Sequence, residues 1–316
     1  MKLLLSSEFD PRFNLAKEEV LFNLEEDFLF IYRNEDSVIC GKHQNAVAEI
    51  CARYLLEEGI PLIRRFSGGG TVFHDPGNIN FSFITTAEDS KVIDFRKYAQ
   101  PVVAFLNDKG IPAKLNDRHD IILHDKKISG HAAHSKGRRA LHHGTLLYNA
   151  NLDRLRKSLI SNKDKFISRA VESVRSSVCN ICDEMSGMPE VEKFMEELSG
   201  YLSGTFGIEE TVDSGNIDPG KTERLIKEKY DDWNWNFGYG PRYSFEVYSA
   251  LNGELIHLHA VVEDGRFKNL TLQESTTFDA ALHKLVGIRH DWLEVFKTLS
   301  GHLEEELAIE VTELLF

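Results

Sequence analysis

The chain has 316 residues, 42% of them apolar and 28% charged, and its formal net charge is −13. This composition indicates a folded protein with room for one large domain and a small one, and it argues against disorder. The negative charge argues against nucleic acid as the main partner, because duplex binding relies on Lys and Arg to neutralise phosphates. Apolar runs are short and interrupted by charges, and residues 1–10 lack the apolar core of a signal peptide. We therefore expect a cytoplasmic protein that binds neither nucleic acid nor a membrane.

The first half of the chain predicts an irregular succession of helices and strands. Asp10 and Pro11 are typical of the N-cap and first turn of a helix, and the apolar residues after them have helical spacing. A short polar turn at 124–126 joins two later strands and places Lys127 at the start of the second. The elements expected after the first helix are, in order, strands 28–33 and 37–41, helix 48–58, strands 62–65, 71–74 and 79–85, helix 92–109, and strands 120–123 and 127–133.

The second half of the chain changes character twice. Residues 154–230 have a mostly helical and acidic pattern, with loop signals at 213–216 and 218–220. The stretch 231–241 contains Gly and Pro and predicts a domain boundary, which gives domains 1–238 and 242–316. Because strands and helices do not alternate regularly, we predict an α+β fold rather than a doubly wound sheet. Beyond the boundary we expect strand 242–248, a hairpin of 254–262 with 267–272, and two or three helices within 278–316.

The spacing of cysteine and histidine favours no metal centre. The four cysteines are too few for a disulfide framework. Cys179-x-x-Cys182 has no second pair to complete a zinc site, so we expect both thiols to be buried and inert. His142 and His143 point to opposite faces of a strand and cannot bind one ion. The His-x-x-His pair at 131–134 lies in a predicted loop without a carboxylate partner.

Three consecutive glycines, Gly68, Gly69 and Gly70, follow the pair Arg64-Arg65. Without side chains, backbone N–H groups can approach phosphate oxygens, and the positive φ angles of an anion-binding nest become accessible. Either arginine can then supply a charged fork to a phosphate or carboxylate. The alternative is a glycine-rich hairpin turn with two solvated arginines, since turns are rich in glycine for steric reasons alone. The chain has neither a dinucleotide-binding Gly-x-Gly-x-x-Gly nor a P-loop motif.

Lys127, in the motif Lys127-Ile128-Ser129-Gly130, is a second candidate. Its ammonium can stabilise negative charge that develops on a carboxylate, a phosphate or a leaving group. The alternative is a solvated surface lysine, which is the role we expect for its neighbour Lys126. The surrounding segment 118–147 has six basic residues and two acidic ones. Such a cationic island in an anionic chain suits a small anionic ligand better than a polyanion.

Taken in order, the motifs of the chain resemble those of the lipoate-protein ligase A family, in the biotin/lipoate protein ligase superfamily. They span nearly the whole chain, and a run of this length in fixed order is specific where each motif alone is weak. One departure is His119, at a place where the family often has Asn. The motifs are Asn14-Leu15-Ala16-x-Glu18-Glu19, Gly41-Lys42-x-Gln44-Asn45, Arg64-Arg65-x-Ser67-Gly68-Gly69-Gly70-x-Val72-x-His74-Asp75-x-Gly77-Asn78, Arg118-x-Asp120, Lys127-x-Ser129-Gly130-x-Ala132, His142-His143-Gly144-Thr145-Leu146-Leu147, Ser173-Val174-Arg175-Ser176-x-Val178-x-Asn180 and Trp233-x-Trp235-Asn236-Phe237-Gly238.

The resemblance implies a biotin/lipoate-ligase-like catalytic domain with a mixed sheet over 1–238, and a small α+β accessory domain over 242–316 that moves during the cycle. It implies an enzyme that joins lipoic acid and ATP, with Mg²⁺, into lipoyl-AMP and pyrophosphate. The lipoyl group then passes to one lysine of an acceptor, such as the E2 subunit of a 2-oxo acid dehydrogenase or the glycine-cleavage H protein. We expect the enzyme to be a monomer.

The resemblance also implies the site residues, with Lys127 as the catalytic lysine. Asp120 is the one candidate to share Mg²⁺ through phosphates, and no other protein ligand for a metal is assigned. Residues 173–180 resemble the family's loop near the adenylate. Nucleotide contacts are expected from Arg65, Gly68, Gly69, Gly70, Thr71, Val72, Phe73, Asp120 and Lys127. Contacts to lipoate or lipoyl-AMP are expected from Arg118, Asp120, Lys127, His143 and Thr145.

Other functions remain as alternatives. A lipoyltransferase that uses preformed lipoyl-AMP or a lipoylated donor would share the glycine loop and Lys127, and pyrophosphate release would separate it from a ligase. A transferase that acts through a thioester needs an activated cysteine near the lysine, and residues 118–130 contain none. The basic Gly-Arg-Gly-Arg-like loop of biotin ligases is absent. A catalytically silent module that binds lipoyl domains has little reason to retain Lys127 with the complete glycine loop.

Overall fold

A computed structural model of the chain describes residues 1–87, 92–159, 165–174, 176–251, 253–273 and 277–316. The described residues form an α+β fold with four sheets, which confirms the predicted fold class. The strands are β1 (Lys2–Leu5), β2 (Phe28–Tyr32), β3 (Ser37–Cys40), β4 (Leu62–Arg64), β5 (Val72–His74), β6 (Asn78–Thr86), β7 (Ala113–Leu115), β8 (Ile121–Leu123), β9 (Lys126–Ser129), β10 (His131–Lys136), β11 (Arg139–Leu147), β12 (Phe166–Ser168), β13 (Glu210–Asp213), β14 (Tyr243–Leu251), β15 (Glu254–Glu263) and β16 (Arg266–Leu272). The α-helices are α1 (Pro11–Phe22), α2 (Ala52–Glu57), α3 (Phe95–Asp108), α4 (Leu152–Ser158), α5 (Ile181–Glu184), α6 (Val191–Phe206), α7 (Pro219–Leu225), α8 (Asp279–His283), α9 (Trp292–Ser300) and α10 (Glu305–Leu315).

The largest sheet has six strands in the order β10-β11-β6-β2-β1-β13. β1 is parallel to β2 and β13, and the other pairs are antiparallel. All residues of β2 are buried, as expected for a central strand covered on both faces. Leu29 and Ile31 pack in one core with α3 and α6, whereas Phe28 and Phe30 pack in another with α1. This division follows from the two-residue period of strand side chains.

Two three-stranded sheets carry the polar motifs. In the sheet β4-β3-β5, β4 ends at Arg64 and β5 begins at Val72, so the glycine motif forms the connection between them. In the sheet β7-β8-β9, the last strand contains Lys127. The fold thus places both motifs at strand ends rather than in a helix.

Two predicted elements are wrong, and a third segment, mostly helical as predicted, also contains strands. Helix 48–58 is divided into a 3-10 turn at Val47–Glu49 and helix α2, because Ile50 and Cys51 are extended. Strand 127–133 is divided at Gly130 into β9 and β10, which lie in different sheets. Residues 154–230 contain the strands β12 and β13 besides helices. β13 is short and polar, so its position depends on parallel pairing with β1 rather than on an apolar pattern of its own.

The C-terminal strands and helices form an apolar core of their own. The predicted hairpin is confirmed, and its turn residues Asp264 and Gly265 both have positive φ, as a two-residue turn of type I′ requires. One of the two edge strands of this sheet is β12, which comes from before the predicted boundary. The division into domains 1–238 and 242–316 stays a prediction. In the ranges given above, no helix is both long and apolar enough to cross a bilayer.

Candidate active site

Two adjoining cavities lie between the glycine motif and Lys127. The first has a volume of about 340 Å³ and the second about 500 Å³. Both cavities are lined by Lys127, and also by Thr71 and Val72, which follow the three glycines in the chain. The residues that line both cavities are Thr71, Val72, Lys127, Gly130, Thr145, Ser173 and Val174. These residues form the shared wall of the site.

Arg65 fixes the shape of the glycine loop from inside the protein. Its Nη2 donates to the carbonyls of Gly68 and Gly70 at 2.6 and 2.8 Å. Its Nη1 donates to the carbonyl of Ile39 and its Nε to Ser67 Oγ, at 3.1 and 3.0 Å. Burial lowers the pKa of Arg65, and the loop carbonyls compensate the charge. The guanidinium thereby fixes two carbonyls of the loop, and Arg65, Gly69 and Gly70 all line the first cavity.

Arg64 is a structural residue, so the expectation that it supplies a fork to a ligand is wrong. The side chain is fully buried. Its Nη1 donates to the carbonyls of Gly41 and Gln44, both at 2.9 Å, and its Nε to that of Trp235 at 3.0 Å. The alternative of two solvated arginines is wrong as well, because Arg65 is only 5% exposed.

A chain of hydrogen bonds ties the loop to α1 and β11. Ser67 Oγ lies 2.9 Å from His143 Nε2, and His143 Nδ1 lies 3.0 Å from Glu18 Oε1. Ser82 Oγ donates to the same carboxylate oxygen. As predicted, neighbouring histidines of β11 face opposite ways, since His142 Nε2 instead accepts from the backbone N–H of Asp94. His143 lines the first cavity and joins its wall to the core.

Lys127 faces the site because of the hairpin that carries it. His124 and Asp125 have φ of 46° and 63°, as in a two-residue type I′ turn, and the register between β8 and β9 shifts at Ile121–Ile122. Lys127 Nζ lies 2.8 Å from Asp120 Oδ1. A Cβ on Gly130 would lie 2.9 Å from that Nζ, so the glycine leaves room for the ammonium.

Asp120 forms ion pairs with both Lys127 and Arg118. Its Oδ2 accepts from Arg118 Nη2 at 3.4 Å and from Asn116 Nδ2 at 3.3 Å. Burial alone would raise the pKa of Asp120, but the hydrogen bond and charge of Lys127 lower it below its ordinary value. The side chain is therefore ionised at neutral pH and orients Lys127.

The segment after residue 170 closes over the glycine loop. Ser173 Oγ accepts from the backbone N–H of Thr71 at 2.8 Å and from Gln44 Nε2 at 3.0 Å. The Ser173 N–H donates to Glu49 Oε1 at 3.1 Å. Further along, the Lys127 N–H donates to the Ser177 carbonyl at 2.8 Å. The segment expected near the adenylate thus lies against both motifs, and its Arg175 is outside the described residues.

The structure brings together all but one of the predicted site residues. Gly68 lines neither cavity, and its carbonyl accepts from Arg65 instead. The predicted residues that line the first cavity are Arg65, Gly69, Gly70, Thr71, Val72, Arg118, Asp120, Lys127, His143 and Thr145. Those that line the second are Thr71, Val72, Phe73, Lys127 and Thr145.

The residues that line the first cavity without having been predicted to do so include Tyr32, Ile39, His74 and His131. The sequence contains only partial indications that they belong to the site. His74 lies in one of the family motifs, whereas Tyr32 and Ile39 lie in predicted strands with no sign of a binding role. His131 falls both in the predicted strand 127–133 and in a predicted loop over 131–134. It begins strand β10, where it pairs with Gly144 of β11. Burial lowers the pKa of His131 to about 3, so it is neutral.

The described residues place neither a metal-binding cluster nor a cysteine side chain at this site. In the described part of the chain, no three His, Cys, Asp or Glu side chains are grouped to hold a metal ion. None of the four cysteines, all of them described, lines either cavity. Cys179 is buried as predicted, but Cys182 is only half-buried. His119 has φ of 63° and stacks on Phe95, which fits a residue type that tolerates the left-handed region.

Residues 10–203 match the family model described as the lipoyl protein ligase A/B catalytic domain. The chain is similar to lipoate-protein ligase LplJ of Bacillus subtilis (strain 168), with 36% identity over 271 residues that cover 82% of this chain and 80% of that protein. It is also similar to lipoate–protein ligase 1 of Staphylococcus aureus (strain Mu50), with 35% identity over 307 residues that cover 93% of this chain and 91% of that protein.

Solved structures give the same picture. A lipoate protein ligase from T. acidophilum with bound lipoic acid has a TM-score of 0.64 and 28% identity, over 75% of this chain and 99% of that one. A bipartite lipoate protein ligase from Thermoplasma acidophilum, described with its E2 lipoyl domain, has a TM-score of 0.66 and 27% identity, over 75% and 96%. Lipoate-protein ligase A bound with ATP has a TM-score of 0.64 and 27% identity, over 75% and 98%.

Proposed function

The chain belongs to the lipoyl protein ligase A/B catalytic domain family, and on this premise we propose that it couples lipoate to ATP and transfers the lipoyl group to an acceptor protein. It is an enzyme, a ligase that acts on lipoate. In the first step a lipoate carboxylate oxygen attacks the α-phosphorus of ATP, and pyrophosphate leaves. In the second step a lysine amine of the acceptor attacks the acyl carbon of lipoyl-AMP. The bond from that carbon to the phosphate oxygen breaks, AMP leaves, and the amine loses a proton.

The observation that carries this proposal is the position of Lys127 on the wall shared by two cavities. Two anions must approach each other in the first step, and an ammonium between them lowers their repulsion. In the second step the same charge offsets negative charge on the acyl oxygen and on the departing phosphate. The two cavities would also raise the rate by holding the carboxylate and the α-phosphate close together in a reactive orientation.

The two cavities differ in ways that suit the two substrates. The first extends into the core past Leu15 and Ile39, which are apolar and buried, so we assign it to the acyl chain. The second is larger and is lined by Ser129, Ser176 and Ser177 with Arg156, so we assign it to the nucleotide. Lys127 and the neighbouring Arg118 would then lie where carboxylate and phosphate meet.

Mg²⁺ belongs to the proposal only together with the ATP phosphates. The described residues offer no cluster of carboxylates, but Mg²⁺ is commonly held by one or two carboxylates and by substrate phosphates. Asp120 is the carboxylate that would share it, and the cation would neutralise phosphate charge. The enzyme side chains do the remaining work: Lys127 and Arg118 bind anions, and Asp120 orients both.

The acceptor is proposed to be a lipoyl domain of the E2 type or a glycine-cleavage H protein, and the enzyme is proposed to act as a cytoplasmic monomer. No cysteine lines either cavity among the described residues, so an acyl-enzyme thioester has no nucleophile there.

The test is an assay with purified enzyme, ATP, Mg²⁺ and lipoate, followed by addition of a recombinant lipoyl domain. We expect pyrophosphate release that depends on lipoate, and then a mass increase of one lipoyl group on the acceptor. Transfer from synthetic lipoyl-AMP without any pyrophosphate release from ATP would instead identify a lipoyltransferase. Failure of both half-reactions would reject the proposal.

A further inference from the structure

The buried part of the lining of the first cavity includes a histidine that the proposed chemistry does not use. His74 lines this cavity and not the second one, as do the buried Leu15, Tyr32 and Ile39. His74 Nε2 is buried and has no hydrogen-bond partner among the described residues. Buried polar groups are nearly always paired, and an unpaired one is costly. The atom therefore calls for a partner that the protein itself does not supply.

Hydrogen bonds behind the ring fix which nitrogen carries the proton. Asn14 Nδ2 lies 2.8 and 3.1 Å from the carbonyls of Glu8 and Arg33, which can only accept. The same Nδ2 donates to Asn34 Oδ1 at 2.9 Å, so the amide nitrogen of Asn34 must face the histidine. Asn34 Nδ2 lies 2.9 Å from His74 Nδ1, which is therefore the acceptor. The proton of the neutral ring is on Nε2.

The ring is neutral because it is buried and because cations lie near it. Burial lowers the pKa of His74 to about 3, with a further contribution from the charge of Arg65 and from His143. A fixed, neutral N–H donor thus belongs to a side chain of the cavity lining, which also includes the buried residues Leu15, Ile39 and Tyr32.

We propose that His74 determines acyl specificity, by donating a hydrogen bond from Nε2 to a sulfur of the lipoyl dithiolane ring. This inference rests on the proposed function. Sulfur is a weak acceptor, but it is the only polar group at the far end of lipoate. Octanoate has the same chain length and no acceptor there, so it leaves the N–H unpaired. A site built around a hydrogen bond disfavours the analogue that lacks the partner.

The test compares three substitutions of this residue. His74→Asn keeps an amide oxygen near the place of Nδ1 for Asn34 and removes the Nε2–H. His74→Gln places an amide N–H near the position of Nε2. His74→Met fills the space with an apolar side chain, so that a variant without the donor remains if the asparagine variant does not fold. For each enzyme, kcat/KM of ATP-dependent pyrophosphate release is measured with lipoate and with octanoate, and folding is checked by thermal melting.

We expect the wild type and His74→Gln to prefer lipoate over octanoate. In the asparagine and methionine variants the ratio of the two kcat/KM values should fall about tenfold, as for loss of one hydrogen bond. An unchanged ratio, or an equal fall for both acids, would overturn the inference. Absence of pyrophosphate release from the wild type with either acid would instead reject the proposed function, so the two failures are distinct.

Discussion

The glycine loop, residues 65–71, and the Lys127 hairpin, residues 121–129, form two parts of the wall of the first cavity and are stabilised in different ways. In the loop, the polar side chains are buried: Arg65 is 5% exposed and Ser67 is fully buried, and both bond to neighbouring groups of the core. In the hairpin, the Lys127 side chain is 26% exposed and is held by an ion pair with Asp120. The glycine loop thus fixes the shape of the cavity, whereas the Lys127 hairpin supplies a positive charge.

This difference predicts how substitutions in each segment affect stability, substrate binding and rate. Buried hydrogen bonds hold the loop in its binding conformation once the protein has folded. Changes in the loop should therefore lower the free energy of unfolding and weaken substrate binding together. The ion pair joins the partly exposed Lys127 to the buried Asp120, which keeps Arg118 as a second partner, so changes of Lys127 should lower the rate more than the stability.

The largest effect is expected from Lys127→Ala. Loss of the ammonium should lower the rate of pyrophosphate release and of lipoyl transfer by on the order of 10³-fold, because charge at the reacting centre is no longer stabilised. The melting temperature should remain close to that of the wild type. Lys126→Ala is the matched control, since Lys126 is paired with Glu184 at 2.6 Å and lines neither cavity. Full activity in Lys127→Ala would remove the basis for assigning charge to this wall.

A smaller effect is expected from Gly69→Ala. Gly69 has φ of 88°, and a Cβ there would lie 2.9 Å from Arg65 Nη2 and 3.2 Å from Ala132 Cβ. Strain at this position should lower the free energy of unfolding by about 1–3 kcal/mol and weaken substrate binding. Gly68→Ala is the control, because its Cβ would meet no atom within 4 Å. Both are measured by urea unfolding and by KM, and equal values for the two variants would show that the loop is not tightly packed.

The third effect is a loss of stability in acid. The pKa of His74 is about 3 in the folded chain and near 6.5 when unfolded, so the unfolded chain binds this proton first as pH falls. Stability from this residue is complete above pH 6.5 and decreases toward pH 3, by up to about 1.4 kcal/mol per pH unit. His74→Gln should therefore lose less unfolding free energy than the wild type between pH 7 and pH 5. Parallel curves from urea unfolding would contradict this. The ion pair of Asp120 with Lys127 should be lost at lower pH, because the pKa of Asp120 is lowered below its ordinary value of 3.8.

Local patterns predicted the elements well where the signal lies in neighbouring residues. The N-cap Asp10 accepts from the Arg12 N–H, and the C-terminal hairpin turns at Asp264 and Gly265, both as the sequence indicated. The break of strand 127–133 at Gly130 was not predicted, because a glycine in a strand pattern is compatible with continuation as well as with a change of sheet. Strand β13 was missed since its pairing with β1 is distant in sequence.

The sequence by itself determined the α+β class and the two motifs that line the cavities, because glycine, lysine and turn chemistry act over a few neighbouring residues. It also indicated the family, through a resemblance carried by the fixed order of its motifs. Only the tertiary structure decided which arginine serves the cavity wall, where Ser173 lies, and which nitrogen of His74 carries the proton. Those properties depend on partners such as Trp235, Gln44 and Asn34, which approach only when distant segments pack, and hydrogen bonds are specific to distance and direction.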